Sequence, residues 1–298
     1  MVKVDLTRFQ EREFKMKKIF IVMIAIFMCV GCDSKNVVEE LNIYSTVYPI
    51  TYLAETLYDE NVIIDSIYPD DANIKEYELT KKQIHNYAKD ADIFIYSGVS
   101  GEKEIAKEFV NKNNKLTVLD VAHGLKVDNS IEELWLSPSN YLMLAKNIKD
   151  NLFLILDNQY DLDKIEANYT ELYESLSLLD ADLRKAGEEA KTDKNNVLVV
   201  TSKAFKFLEN YGFNVISLDE ETYQTDEMIA YLGNNFKDGD YLTLINEYGK
   251  SNETVNYFID DCKANSIDFS TFNSSNSDLD YLDALKNFIY NLEILISE

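Results

Sequence analysis

The chain has 298 residues, with 53 acidic against 29 basic side chains and a formal net charge of −24. Hydrophobic content of 46% and aromatic content of 12%, with only 9 Gly and 3 Pro, exclude a disordered or collagen-like chain. A surface this acidic repels phosphate backbones, which argues against nucleic acid as a partner.

Residues 1–31 read as a start-site extension followed by a secretory leader. From Met16 the sequence is MKKIFIVMIAIFMCVGC, two lysines and then an apolar run from Ile19 to Val30 that is short for a membrane span. Gly31-Cys32 resembles the end of a bacterial lipobox, with Cys29 where that box usually has Leu; it implies diacylation of Cys32 and a lipid-anchored protein on the extracytoplasmic face of a bacterial membrane. After lipidation Cys262 is the one remaining thiol, so neither an internal disulfide nor a cysteine metal cluster can form.

Residues 32–40 read as a charged tether. Strand-like runs follow at Leu41–Val47, Val62–Tyr68, Ala91–Ser97 and Leu116–Val121, with helical runs at Pro49–Tyr58, Thr80–Ala88 and Glu102–Asn113 between them. Strands alternating with helices predict a parallel sheet covered on both faces. A further helix is expected from Pro138 to Leu156.

Asp161 to Ala190 carries the clearest pattern. Leu162, Ile165, Tyr169, Leu172, Leu176, Leu179, Leu183, Ala186 and Ala190 are spaced alternately by three and four, one stripe on one face of a long helix. Beyond it the β/α rhythm resumes. Strands are expected at Asn196–Thr201, Asn214–Leu218, Tyr241–Asn246 and Asp268–Phe272, and helices at Lys203–Asn210, Thr225–Phe236, Glu253–Asn265 and Asp278–Ile296. The predicted fold class is α/β: two lobes, residues 41–160 and 191–298, each a four-stranded parallel sheet, joined by a rigid helix over 161–190. Ligands of such sheets bind beyond the carboxyl ends of the strands, here in an interlobe cleft.

Six pieces of sequence, in order, resemble the zinc- and manganese-type solute-binding lipoproteins of ABC importers. They are Ile43–Pro49 with its Tyr48-Pro49 turn, the loop Pro69–Thr80, Ala91–Gly98, Glu133-Leu134-Trp135-Leu136-Ser137-Pro138, the long helix with Ala167-Asn168-Tyr169 and Leu179-Asp180, and Ser202-Lys203-Ala204-Phe205. The resemblance spans nearly all of the mature chain. It implies capture of a divalent cation, Mn or Zn, in the cleft, delivery to an ABC permease, and a monomer.

The departure from the family is in the ligands, which there are three histidines plus a carboxylate or a fourth histidine. The matching positions hold Lys75, Glu133 and Ser202, and the closing carboxylate falls at Asp278 or Asp280. Glu247 matches a family Glu near the cleft, and Tyr48, Tyr77 and Trp135 are expected to line it. The two histidines of the chain, His85 and His123, fall at neither a family ligand position nor a metal-binding spacing. Zinc prefers imidazole and thiolate, whereas Glu133 and Asp280 offer oxygen suited to harder cations, and a charged Lys75 repels a cation at close range. Lys75 also permits another reading, in which its ammonium replaces the metal, pairs with Glu133 and Asp280, and leaves a cleft for a small polar organic solute. The rival from another class is a ligand-free descendant acting as an adhesin or interaction module. No GxSxG, HExxH, GxGxxG or P-loop sequence is present, so the chain does not read as an enzyme.

Overall fold

In the computed structural model, the described residues include eight short strands in two parallel sheets of four. The first contains β1 (Asn42–Ser45), β2 (Ile63–Ser66), β3 (Ile93–Tyr96) and β4 (Thr117–Asp120) in the order β2-β1-β3-β4. The second contains β5 (Val197–Val200), β6 (Asn214–Ser217), β7 (Thr243–Glu247) and β8 (Asn265–Phe269) in the order β6-β5-β7-β8, the same winding. The structure describes residues 41–58, 62–69, 72, 74, 76–98, 101–193, 195–239 and 243–297. The leader, Cys32 and Lys75 lie outside the described residues.

Helices α1 (Tyr48–Tyr58), α2 (Lys81–Asp90) and α3 (Glu102–Lys112) connect the first sheet, and the short α4 (Glu133–Leu136) and α5 (Pro138–Ile155) follow it. The linking helix α6 runs from Gln159 to Asp193, 35 residues or roughly 50 Å at ~1.5 Å per residue. In the second half α7 (Asp226–Asp238) and α8 (Glu253–Asn256) precede the closing helix α9 (Tyr281–Ser297).

The period-two alternation of the strands sorts side chains between three cores. Ile43, Ile93 and Ile95 of the first sheet and Leu198, Val200 and Ile245 of the second belong to one continuous apolar cluster. The stripe of α6 (Ile165, Leu172, Leu176, Leu183, Ala186 and Ala190) and Leu285, Phe288 and Leu292 of α9 complete it. The opposite face of the first sheet, through Phe94 and Tyr96, packs on Ile84 and Ala88 of α2 and Ala106 and Phe109 of α3. Val199 and Leu244 do the same against Leu232, Phe236, Val255 and Phe258. The two lobes thus share a core through the linking helix, and residues 40–298 form one compact unit.

The helix starts follow local chemistry. Thr80 caps α2 in a reciprocal box with Gln83, and the Thr225 hydroxyl accepts from the Met228 amide at the start of α7. One glycine is demanded by packing: a Cβ on Gly187 of α6 would stand 1.8 Å from the Tyr211 carbonyl oxygen. The linking helix is therefore seated directly on backbone.

Four elements depart from the sequence expectation. The run Lys203–Tyr211 is a 3-10 helix, capped by Ser202 and ended by Gly212 at φ 97°. The helix expected over Glu253–Asn265 is α-helical only to Asn256, continues as a π-turn from Tyr257 to Asp261, and is broken by Lys263 at φ 62°. The last strand consequently starts three residues earlier than expected and ends at Phe269, with Ile267 and Phe269 facing inward. Finally, α9 begins at Tyr281 because the Asp280 carboxylate accepts from the Asp283 amide (2.9 Å) and caps it.

Candidate functional site

Each sheet changes winding direction between its two central strands, β1/β3 in one and β5/β7 in the other. Ligand crevices of open parallel sheets open at this switch point, beyond the carboxyl ends. Here those ends carry Ser45-Thr46, Ser97, Thr201-Ser202 and Glu247. Ser97 donates to the buried Glu102 carboxylate from both its amide (2.9 Å) and its hydroxyl (2.8 Å). Across the second switch point the Glu247 amide donates to the Thr201 hydroxyl (2.8 Å).

The residues after β8 cross to the first lobe and close the joint. The indole of Trp135 donates to the Thr271 carbonyl (2.9 Å), and the Asn273 amide donates to Glu132 Oε1 (2.7 Å). Nearby the Tyr48 backbone amide donates to the Ser274 carbonyl (2.9 Å), the Tyr48 hydroxyl to the Leu279 carbonyl (3.0 Å) and the Ser275 hydroxyl to the Pro69 carbonyl (2.7 Å). Tyr281 donates to the Trp135 carbonyl.

At the centre of this joint runs a polar relay. Asn273 Nδ2 divides its two protons between Glu132 and the Thr271 hydroxyl (3.0 Å), and Thr271 donates onward to Glu247 Oε1 (2.8 Å). Lys250 meets the same Glu247 oxygen at 2.9 Å. Glu132 is 1% exposed and also accepts from Ser130. Two oxygens here have no hydrogen-bond partner among the described residues, Asn273 Oδ1 and the hydroxyl of the fully buried Thr46.

An aromatic hub of Tyr48, Tyr52, Tyr141, Phe272 and Tyr281 backs the relay, with ring centroids 4.2 to 6.0 Å apart. Burial, reinforced by Asp280, pushes the Tyr48 phenol up to about 12 and the Tyr52 phenol further. Burial likewise raises Tyr141 and Tyr281 well above the usual phenol range.

The sequence-derived candidates fall in different surroundings. Glu133 is buried, and its carboxylate accepts from the backbone amides of Asp128, Asn129 and Ser130 at 3.1, 2.8 and 3.3 Å, folding the loop before α4. The Ser202 hydroxyl accepts from the Ala204 amide (3.3 Å). Asp278 and Asp280 are exposed, Asp280 as the α9 cap. Trp135 is fully buried, and the Tyr77 hydroxyl accepts a hydrogen bond from Gln83 Nε2 (2.9 Å) while its ring packs on Tyr68. Tyr48 and Glu247 stand at the joint itself. His85 and His123 are exposed. Sequence reasoning missed Glu132, Thr271 and Asn273. The pair Glu132-Glu133 gives no sign of which carboxylate turns to the other lobe, and Asn273 lies in a Ser/Asn run that reads only as a loop.

Among the described residues no three His, Cys, Asp or Glu side chains gather as a metal-holding group. Glu132 and Glu247 offer oxygen alone, and the contacted oxygens already accept from neutral or cationic donors. That chemistry suits a hard cation better than zinc.

A family model described as "ZnuA: Zinc-uptake complex component A periplasmic" matches residues 43–294. The chain belongs to the ZnuA family. Solved structures of similar fold include the metal-dependent lipoprotein YcdH from Bacillus subtilis, with 19% identity, a TM-score of 0.71, and coverage of 86% of this chain and 99% of that one. A ZnuA crystal structure aligns at 16% identity and TM-score 0.68 over 86% and 99% of the respective chains. An Mn-bound point mutant of the periplasmic metal-binding protein of Candidatus Liberibacter asiaticus aligns at 15% identity and TM-score 0.64 over 86% of this chain and 100% of that one. The likeness to these structures extends over the whole two-lobed fold.

Proposed function

We propose that this chain is the extracytoplasmic solute-binding component of an ABC importer, tethered through lipid on Cys32 and handing cargo from the interlobe joint to a permease. The observation that carries this reading is the joint itself: Glu132 of the first lobe, the end of β7 and the 270–280 segment meet in one polar relay in which Glu132 and Thr271 are buried. In ordinary core such groups are costly unless they serve a site or a specific fit. The first cargo class is an oxygen-preferring divalent cation, with Glu132 and Glu247 as the acidic groups at the joint; Lys75, Glu133, Ser202 and Asp280 hold the sequence positions that match the family's ligands.

A second reading is favoured by one feature. The relay from Glu132 through Asn273 and Thr271 to Glu247 and Lys250 links the lobes by direct contacts between side chains, with a Lys ammonium on the Glu247 carboxylate. On that reading the joint stands closed without metal, and the protein takes a small polar organic solute or acts as an interaction module.

Elemental analysis of protein purified without chelator, with a thermal-shift panel of Mn²⁺, Zn²⁺, Ca²⁺ and Mg²⁺, separates the two. Cargo at 100 times its Kd stabilises by about 2.7 kcal/mol, or roughly 5–10 °C for a chain of this size. The cation reading predicts such a rise with Mn²⁺, and Lys75→His is expected to shift the preference toward Zn²⁺. Sub-stoichiometric metal and a flat panel in both proteins would refute the cation reading and leave the second.

A further inference from the structure

On the side of the molecule formed by α6 and α9 lies an open groove of about 420 Å³ with no role in the interlobe joint. Its floor is apolar: Leu178 and Tyr290 are 66% and 62% exposed, beside Leu179, Leu282 and Ile289. Both large side chains line the same groove instead of standing singly on the surface. Neither follows from packing within the chain, because the α6 stripe that serves the core runs through Leu176, Leu179 and Leu183 instead.

The rim is acidic. Asp182 on α6 and Asp283 and Glu293 on α9 border the floor, with Lys286 between them and Lys185 of α6 paired with Glu293 at 3.9 Å, which leaves Asp182 and Asp283 as its acids with no ion pair among the described residues. Lining residues recur at helical spacing on both walls: Ser175, Leu178 and Asp182 along two turns of α6, and Leu282, Lys286, Tyr290 and Glu293 along three turns of α9. A trough between two helices, apolar below and charged at the edges, has the form that accepts the apolar face of a third helix.

The geometry points to this groove as a docking site for a helical segment of another protein, apolar on one face and basic along its flanks. Charge selects the occupant. A second copy of a chain carrying −24 brings a like-signed surface, and an anionic lipid surface is repelled in the same way. A basic amphipathic helix meets the acidic rim with opposite charge and the exposed Leu178 and Tyr290 with apolar area.

The test uses the compact unit, residues 40–298, and a fluorescent synthetic helix of about four turns with Leu at i, i+3, i+4 and i+7 and Lys on its flanks. Saturable binding by anisotropy is expected, weakening with salt. It should fall by about tenfold or more in Leu178→Asn and in Tyr290→Ser, both neutral exchanges at exposed sites that leave the net charge unchanged. A scrambled peptide of the same composition should bind at least as weakly. Equal binding of the scrambled peptide, or of the two variants, would show plain attraction of cations to an acidic protein and overturn the proposal. A concentration-dependent dimer lost in Leu178→Asn, or binding of the unit to phosphatidylglycerol vesicles lost in the same variant, would assign the groove to one of the other occupants and overturn it too.

Discussion

At the scale of single residues, Asn273 has the most to lose. Its amide links the buried Glu132 carboxylate to the Thr271 hydroxyl. Truncation leaves a buried acceptor on each side short of a donor, and such losses cost about 1–3 kcal/mol, more for a charged group. Asn273→Ala is therefore expected to lower the urea midpoint clearly, while Asn276→Ala, three residues on and exposed, should stay within about 0.5 kcal/mol of wild type. Equal midpoints would mean that the relay holds nothing together. This residue was not legible in the sequence: a Ser/Asn-rich loop advertises polarity, whereas its partner is 141 positions away. Glu133 shows the converse. Its place before Leu134-Trp135-Leu136 was readable, but its carboxylate folds the local 128–130 loop because three unpaired amides lie within reach.

At the scale of elements, the linking helix was the most legible feature, since nine stripe positions over thirty residues leave little choice of period. The structure extends it at both ends and adds what periodicity does not hold, its seating. Gly187 meets the Tyr211 carbonyl, and on the same face Tyr211 donates to Asp180 (2.7 Å) and shares a contact with the Ser137 hydroxyl (3.2 Å). Arg184, paired with Asp180 at 2.8 Å, lies over the Tyr211 ring. Tyr211 therefore ties α6, the second-lobe 3-10 helix and the start of α5 together. Helix propensity alone makes Gly187→Ala stabilising by about 1 kcal/mol. The close approach reverses the sign, and a loss of roughly 1–3 kcal/mol is expected as the 3-10 helix is pushed off. Thermal denaturation of Gly187→Ala beside Gly124→Ala, whose Cβ would meet nothing within 4 Å though its φ is 83°, distinguishes packing loss from backbone strain.

At the scale of the whole molecule, the two sheets share one apolar core and one aromatic hub, so separation of the lobes exposes both. Tyr48 and Tyr211 titrate at about 12 in the fold, burial being the main cause, against about 10 in an unfolded chain. A phenol raised in this way costs nothing below pH 10, where both states hold the proton. Above it the unfolded chain ionises first, and stability falls progressively from pH 10 to about 12. Tyr52, Tyr141 and Tyr281 are shifted in the same direction. Tyrosinate absorbance of this set is expected to appear together with loss of helical circular dichroism. Ionisation of the whole set with the helices intact would contradict a closed hub. The shared core also fits a receptor whose lobes move little, because hinge opening needs an interface that parts cheaply.

Sequence alone determined the β/α alternation, the linking helix and the family likeness, because each is written in local spacing or in contiguous residue types. The position of β8, the choice between Glu132 and Glu133, the reach of Asn273 and the groove beside Leu178 were decided only in three dimensions. Those features depend on which distant backbone or side chain arrives opposite a given residue, and a period of two or 3.6 holds no information about that.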